Sequence, residues 1–412
     1  MSVSPARRVA YAVLLRVFEE DAYADRAFAS AATGLDARDR ALAQRLAYGT
    51  VQRIRTLDHA IEALGRRPVR KLDPPVRAAL RLGAYQLGYL ETPPHAAVSE
   101  SVELVRAAGL ERAVAFTNAV LRRLAEGLGS LLGALPERTA AEAALKHSYP
   151  DWVAETWFRD LGADAAQALM RAQNEAAETV VRRNRRKDGS VDGVADPDLP
   201  DALHVDRVDL AALAQGLIWP QSRGSQLAGV AVGAHEGERV LDLCAAPGGK
   251  ATQLAGEVVA VEKHPGRARE LEANCRRLGA TNVTVVCADA LELPPELAGF
   301  DRALVDAPCS ALGTLASRPD ARWRARPLPE LQLALVTAAA ARVRPGGTIV
   351  YSVCTINADE NERVVDAAGL EPEPLGEEWP KFSHPRRPEF LLTLPHVHRT
   401  SGFFIARLRS AA

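Results

Sequence analysis

The chain has 412 residues, more than one ordinary domain holds, so two or three domains are expected. Hydrophobic residues at 47% and charged residues at 25% are the proportions of a globular protein with a sizeable core, and a net charge of −1 gives no bulk signal of nucleic-acid binding. The five cysteines are scattered without a C-x-x-C pair, which argues against a disulfide framework and a zinc site, and no apolar run approaches membrane-spanning length.

From the N-terminus, Arg7-Arg8 followed by Val9–Leu15 has the look of a short signal peptide, but the apolar run stops at Arg16 and turns acidic. It reads as an amphipathic helix, and a reducing, cytoplasmic setting follows. Apolar residues then recur at helical spacing (Val9, Val13, Leu14, Val17; Leu42, Leu46; Val76, Leu80, Leu87; Val98, Val102, Val105), so residues 1–130 are expected to be all helical. Lys and Arg outnumber Asp and Glu there. Gly127–Pro136 reads as a linker with some apolar anchoring, and a second helical patch runs from Ala140 to about Ala177. Residues 131–215 are expected to be a linker and small subdomain. They carry a basic run of Arg182, Arg183, Arg185, Arg186 and Lys187 that suits phosphate, as do Arg318, Arg322, Arg324 and Arg326 further on.

From residue 216 onward, short β-branched runs alternate with helical stretches: Arg239–Leu243, Val258–Val261, Val283–Cys287, Ala303–Val305, Thr348–Val353 and a closing strand at Phe403–Leu408. This pattern predicts an α/β domain with a parallel sheet covered on both faces. The first strand runs into Cys244-Ala245-Ala246-Pro247-Gly248-Gly249-Lys250, a loop of small residues against which a ligand can lie at a helix N-terminus. Glu262 ends the second strand, where an acid can bind the hydroxyls of an adenosine ribose, and Asp289 follows the third. A P-loop fails at Cys244 and Ala251, and the dinucleotide pattern G-x-G-x-x-G is absent, which leaves S-adenosylmethionine as the cofactor expected.

The fourth strand ends at Asp306, with Pro308 stiffening the loop that presents Cys309, and the fifth ends at Cys354. Neighbouring strands would open both thiols onto one cleft. Two thiols fit methylation of carbon 5 of cytosine: a thiolate adds to carbon 6, carbon 5 becomes nucleophilic, and Asp306, if protonated or sharing a proton, serves as the acid at ring nitrogen 3. The chemistry does not say which thiol attacks. Cys275 and Cys287 read as small buried hydrophobes, and Cys244 as an unreactive part of the cofactor loop.

Asp242–Lys250, Asp306–Ser310, the strand into Cys354 with Asp359-Glu360-Asn361, Arg318-Pro319-Asp320 with Arg322-Trp323, and Gly402-Phe403-Phe404 resemble the motifs of RNA 5-methylcytosine methyltransferases. Arg77–Leu87 and Ala115–Arg122 resemble a NusB-like RNA-binding domain. The combination is similar to methyltransferases of 16S ribosomal RNA and spans nearly the whole chain. The resemblance implies a class I S-adenosylmethionine-dependent (Rossmann-like) methyltransferase domain at 216–412 behind a NusB-like bundle, acting as a monomer on small-subunit RNA. It implies Cys354 as nucleophile and Cys309 as the residue that helps release product. It also implies cofactor contacts from Cys244–Lys250, Glu262, Asp289 and Asp306, and RNA contacts from the 182–187 run with Arg318 and Arg322. A tRNA substrate and a non-catalytic RNA-binding assembly factor are the rival readings. The chain departs from the family at Ser222, where Asp is usual, and at Val353-Cys354-Thr355, where Thr-Cys-Ser is frequent.

Overall fold

The computed structural model describes residues 3–410 and divides into two units. The first holds the chain up to Asn174 together with Ser317–Arg324; the second holds Glu175–Ala316 and the chain from Ala325.

The first unit is helical, with α1 (Pro5–Glu19), α2 (Ala24–Ala31), α3 (Ala37–Gly65), α4 (Pro74–Tyr89), α5 (Pro94–Ala107), α6 (Glu111–Ala134), α7 (Ala140–His147), α8 (Asp151–Leu161) and α9 (Ala163–Ala172). Asp36 caps α3 by accepting from the Asp39 amide, and Thr139 with Glu142 forms a capping box on α7. The long α3 supplies the centre of the core through Leu46, Val51, Leu57 and Ile61. At Gly49 a Cβ would stand 2.0 Å from the Tyr85 hydroxyl, so glycine is what lets α4 approach. The 127–136 stretch expected to be a linker is instead mostly the last turns of α6. Leu124 and Leu128 are buried one turn apart, and Leu128 and Leu132 lie over Gly88, so tertiary packing outweighs the glycines.

Residues 131–215 do not form a subdomain of their own. α7 to α9 join the helical unit, where Thr56 donates to the Leu145 carbonyl at 2.6 Å and Arg55 to the Tyr149 carbonyl at 2.6 Å. The remainder belongs to the second unit. There, β1 (Val180–Arg183), β2 (Val194–Ala195), β3 (Ala202–His204), α10 (Leu210–Gln215) and β4 (Ile218–Pro220) make a four-stranded sheet of order β2-β3-β1-β4 with one helix. All its pairings are antiparallel.

Next come α11 (Arg223–Ala231), β5 (Arg239–Asp242), β6 (Glu257–Glu262), α12 (Pro265–Leu278), β7 (Val283–Cys287) and β8 (Phe300–Asp306). α13 (Ala321–Arg324) lies in the first unit, and α14 (Pro329–Ala340), β9 (Val343–Val353), α15 (Glu362–Ala368), β10 (Glu371–Glu373), β11 (Leu391–Thr393), α16 (Pro395–His398) and β12 (Phe403–Arg409) complete the second. The large sheet is eight-stranded, β10-β12-β9-β8-β5-β6-β7 with β11 on β12. β9 through β7 run parallel and β12 is antiparallel. Its interior is the apolar runs expected from the sequence, with Val240, Leu241, Leu304, Val350 and Ile405 all fully buried. Strand order reverses between β5 and β8, and in such sheets ligands bind at the carboxyl edge beside that reversal.

Ser317–Arg324 is an integral part of the helical unit. Arg322 is 0% exposed, donating to the carbonyls of Gln52 and Ser148 and to Asn174 Oδ1 at 3.0–3.1 Å, with its guanidinium 4.2 Å from the centre of the Tyr149 ring. Burial lowers its pKa to about 10. Trp323 donates its indole N–H to the Val51 carbonyl at 2.8 Å. This corrects the expectation that Arg322 contacts RNA, because the guanidinium is buried inside the protein and bonds there through Nη1. Arg322→Ala leaves three buried acceptors and a cavity, and is expected to cost about 3 kcal/mol. Thermal melting of the full chain would show a drop of several degrees, and an unchanged melt would remove this structural role.

Candidate functional site

β8 and β9 pair in parallel with Asp306 opposite Ser352, so their outgoing loops leave the sheet side by side. The Ala307 amide continues the pairing by donating to the Ser352 carbonyl at 3.0 Å. Cys309 and Cys354 then come together, with their sulfurs 3.4 Å apart. Ala311 takes a left-handed backbone conformation (φ 57°), which turns the loop back so that the Gly313 amide donates to the Cys354 carbonyl at 3.0 Å. The Gly402 amide bonds the Gly313 carbonyl at 2.8 Å, and a Cβ on Gly313 would collide with the Gly402 carbonyl at 2.0 Å. Glycine at 313 is therefore a requirement of the cysteine loop. Hydrogen bonding to Cys354 and then burial push the Cys309 thiol well above its ordinary pKa.

Beside the thiols, Asp306 accepts from Lys250 Nζ at 2.7 Å and from Ser352 Oγ at 2.7 Å. Lys250 closes the small-residue loop after β5 and also lies 5.0 Å from the centre of the Phe403 ring. The loop thus hands a cation to the acid at the end of the next strand. Cys244 is half-buried within it, and desolvation there raises its thiol pKa. At Gly249 a Cβ would meet the Trp219 indole nitrogen at 2.8 Å, so the second glycine of the pair serves close packing.

Glu262 ends β6 with its carboxylate 4% exposed, accepting from the His264 amide at 2.9 Å and facing Arg267 at 3.4 Å. Asp289, beyond β7, is tied to Lys263 at 2.6 Å and to the Leu291 amide at 3.0 Å. The Lys263 bond holds its carboxyl below the ordinary range. Sequence reasoning gave Asp242 no role of its own, naming it only as the start of the Asp242–Lys250 motif. That residue is 1% exposed, and neither carboxylate oxygen has a well-formed hydrogen bond. Burial first, and then the charge of Asp306, push its pKa up to about 7, against the opposing pull of Lys250. An acid at the last position of an apolar strand, directly before a small-residue loop, was the available signal.

The remaining cysteines divide. Cys275 is buried as expected, whereas Cys287, at the end of edge strand β7, is exposed and corrects the expectation of burial. Within the basic run, Arg182 is 4% exposed on β1 and donates to Thr252 Oγ1 at 2.9 Å, so it too is corrected from surface cation to buried strand residue. The period-two alternation of a strand points Arg183 outward instead. Arg183, Arg185, Arg186 and Arg318 are exposed, and Lys187 is partly so, donating to the Gln215 carbonyl at 2.7 Å. Ser222, where Asp was expected, caps α11 by accepting from the Ser225 amide at 3.4 Å. No helix among the described residues is long and apolar enough to cross a membrane.

Comparison with known proteins agrees with the fold, a helical first unit followed by a sheet-containing second one. A family model described as 16S rRNA methyltransferase RsmB/F matches residues 230–409, and the NusB family model matches residues 4–126. The probable ribosomal RNA small subunit methyltransferase B of Synechocystis is 34% identical over 98% of this chain and 99% of its own length. The Bacillus subtilis protein of the same description is 31% identical over 99% of each. Among solved structures, PH0851 superposes with a TM-score of 0.81 at 24% identity over 99% of both chains. A methyltransferase homolog from Pyrococcus horikoshii gives 0.57 at 27% identity, over 67% of this chain and all of its own.

Asp242 supplies a pH test. Its folded pKa of about 7 lies above the ordinary 3.8, so its ionisation penalises the folded state. The penalty is absent below about pH 4 and complete above about pH 7, where a shift of that size corresponds to an order of 4 kcal/mol. Without ligand, Asp242→Asn is expected to melt higher than the parent at pH 8 and to lose that advantage by pH 4. Parallel melting curves across the window would contradict the assignment.

Proposed function

The chain belongs to the RsmB/F family of 16S rRNA methyltransferases, and we propose that it methylates carbon 5 of a cytosine in small-subunit ribosomal RNA, using S-adenosylmethionine and a covalent Cys354 adduct. The observation that carries this reading is the pair of thiols 3.4 Å apart beside the Asp306–Lys250 ion pair, at the carboxyl edge of the parallel sheet.

The residues fit the cofactor. Bound there, S-adenosylmethionine would supply an electrophilic methyl on a sulfonium and would leave as the neutral thioether. Glu262, buried at a strand end, would hold the two ribose hydroxyls, and Asp289, one strand further along, would reach the adenine. The Asp242 carboxylate lacks well-formed hydrogen bonds and sits in an acid-rich site, which suits the cationic end of such a ligand. Cys244–Lys250 provides the backbone bed, with Asp306 beyond it.

In the reaction, the Cys354 thiolate adds to carbon 6 of the cytosine, and nitrogen 3 takes the proton that Lys250 shares with Asp306, returning it once carbon 5 is methylated. Carbon 5 then takes the methyl. The carbon 5 proton is lost to solvent, the carbon 5–carbon 6 double bond re-forms, and the electron pair of the sulfur–carbon bond returns to Cys354. Cys309 assists this last step. The base must leave its stack to reach the thiols. Arg183, Arg185, Arg186, Lys187 and Arg318 are the phosphate contacts retained in this reading.

On isolated 16S rRNA, Cys309→Ala is expected to accumulate a denaturation-resistant RNA–protein adduct while Cys354→Ala forms none; the opposite pattern would reverse the two roles. Methyl incorporation into 16S rRNA and not into tRNA is expected from the parent chain, and incorporation into tRNA alone would move the substrate. Glu262→Gln is expected to weaken cofactor binding about tenfold by equilibrium dialysis.

A further inference from the structure

Glu360 is 0% exposed, and its carboxylate gathers five neutral donors. Oε1 accepts from the amides of Ser310 at 3.0 Å and Leu328 at 3.1 Å and from Gln332 Nε2 at 2.9 Å. Oε2 accepts from the Ser310 hydroxyl and from Asn357 Nδ2 at 3.2 Å. Ser310 follows Cys309 directly and bonds the carboxylate itself, while Pro308, on the other side, is tied to it through Gln332, which also donates to the Pro308 carbonyl at 3.0 Å. Glu360 itself belongs to the segment after Cys354. The Tyr351 hydroxyl at the end of β9 donates to its backbone carbonyl at 2.6 Å, and Ser310 meets Thr355 at 2.7 Å. The two cysteine loops are thus joined through a single buried anion.

We propose that Glu360 is a positioning residue: it locks the Cys309 loop against the Cys354 loop and keeps Cys309 as the neutral, hydrogen-bond-donating thiol of the pair. The proposal rests on the reading of Cys354 as nucleophile. A charge solvated by neutral donors keeps its field, and that field disfavours a second negative charge nearby. The groups facing Cys309 are Cys354, Glu360 and Tyr351, with Asp306 and its Lys250 partner beyond. Cys354, burial and Glu360 all act against ionisation of Cys309. Its S–H is therefore available to the Cys354 sulfur when the electron pair of the sulfur–carbon 6 bond returns to it, and the proton stays on Cys309 throughout.

The test is iodoacetamide labelling of Cys309 against pH in full-length chain carrying Cys354→Ala, without RNA, read by mass spectrometry of the Cys309 peptide. Adding Glu360→Gln is expected to lower the midpoint by about one pH unit, seen as roughly tenfold faster labelling at pH 8. Glu360→Asp, which keeps the charge on a shorter arm, is expected to hold the high midpoint. An unmoved midpoint in Glu360→Gln, or an equal fall in Glu360→Asp, overturns the proposal. Where Glu360→Gln does not fold, Gln332→Ala cuts the Pro308 link together with one of the five donors to Glu360, and leaves the charge. It is expected to speed labelling several-fold at every pH without moving the midpoint, and a rate equal to the parent's overturns the positioning role. With Cys354 intact, Glu360→Gln is expected to prolong the RNA adduct. Labelling needs neither RNA nor cofactor, so a parent chain that fails to methylate would sink the proposed function and leave this result standing.

Discussion

The parallel register that sets Asp306 beside Ser352 is the constraint on which the site depends. Because side chains alternate along a strand, a slip of one residue would turn Asp306 away from Lys250 and separate the two loops. With the register in place, neighbouring strand ends deliver an acid, a hydroxyl and two thiols to one spot, and the tight Gly313–Gly402 approach keeps the intervening loop from drifting. A sheet buried on both faces holds such positions more firmly than loops alone could.

Charge is the second organising feature. Asp242, Asp306 and Glu262 end three adjacent strands, with Lys250 the cation bonded to Asp306. The cost shows in Asp242, where burial first and then the charge of Asp306 raise the pKa to about 7. A positively charged ligand would relieve it, which is how a methyl-donating sulfonium cofactor would gain affinity from a destabilised unliganded state. The chain as a whole is nearly neutral, and within the basic run Arg183, Arg185 and Arg186 are the exposed cations.

Much of this was legible in the sequence because it rests on local pattern. The apolar runs of the parallel strands, the small-residue loop and the two cysteines just past strand ends all follow from short-range rules. What escaped depends on partners distant in sequence. Arg322 looked like one more surface arginine because nothing near it announces the carbonyls of Gln52 and Ser148 that enclose it. Arg182 looked like part of a solvated basic run because the strand that buries it is four residues long. Glycines at 127, 129 and 133 suggested a linker, and only the packing of Leu128 and Leu132 over Gly88 shows a helix. Glu360 was visible as part of a motif, but its five donors come from three separate segments that only the fold assembles.

The attacking sulfur can be identified directly. Small-subunit rRNA carrying 5-fluorocytosine at the target position cannot lose its carbon 5 substituent as a proton, so the covalent complex persists once the methyl has been transferred. Tandem mass spectrometry of the digested complex, formed by the parent chain with S-adenosylmethionine present, then locates the attached base. Attachment at Cys354 is the predicted result. Attachment at Cys309, or no covalent complex at all, would contradict the assignment of the pair.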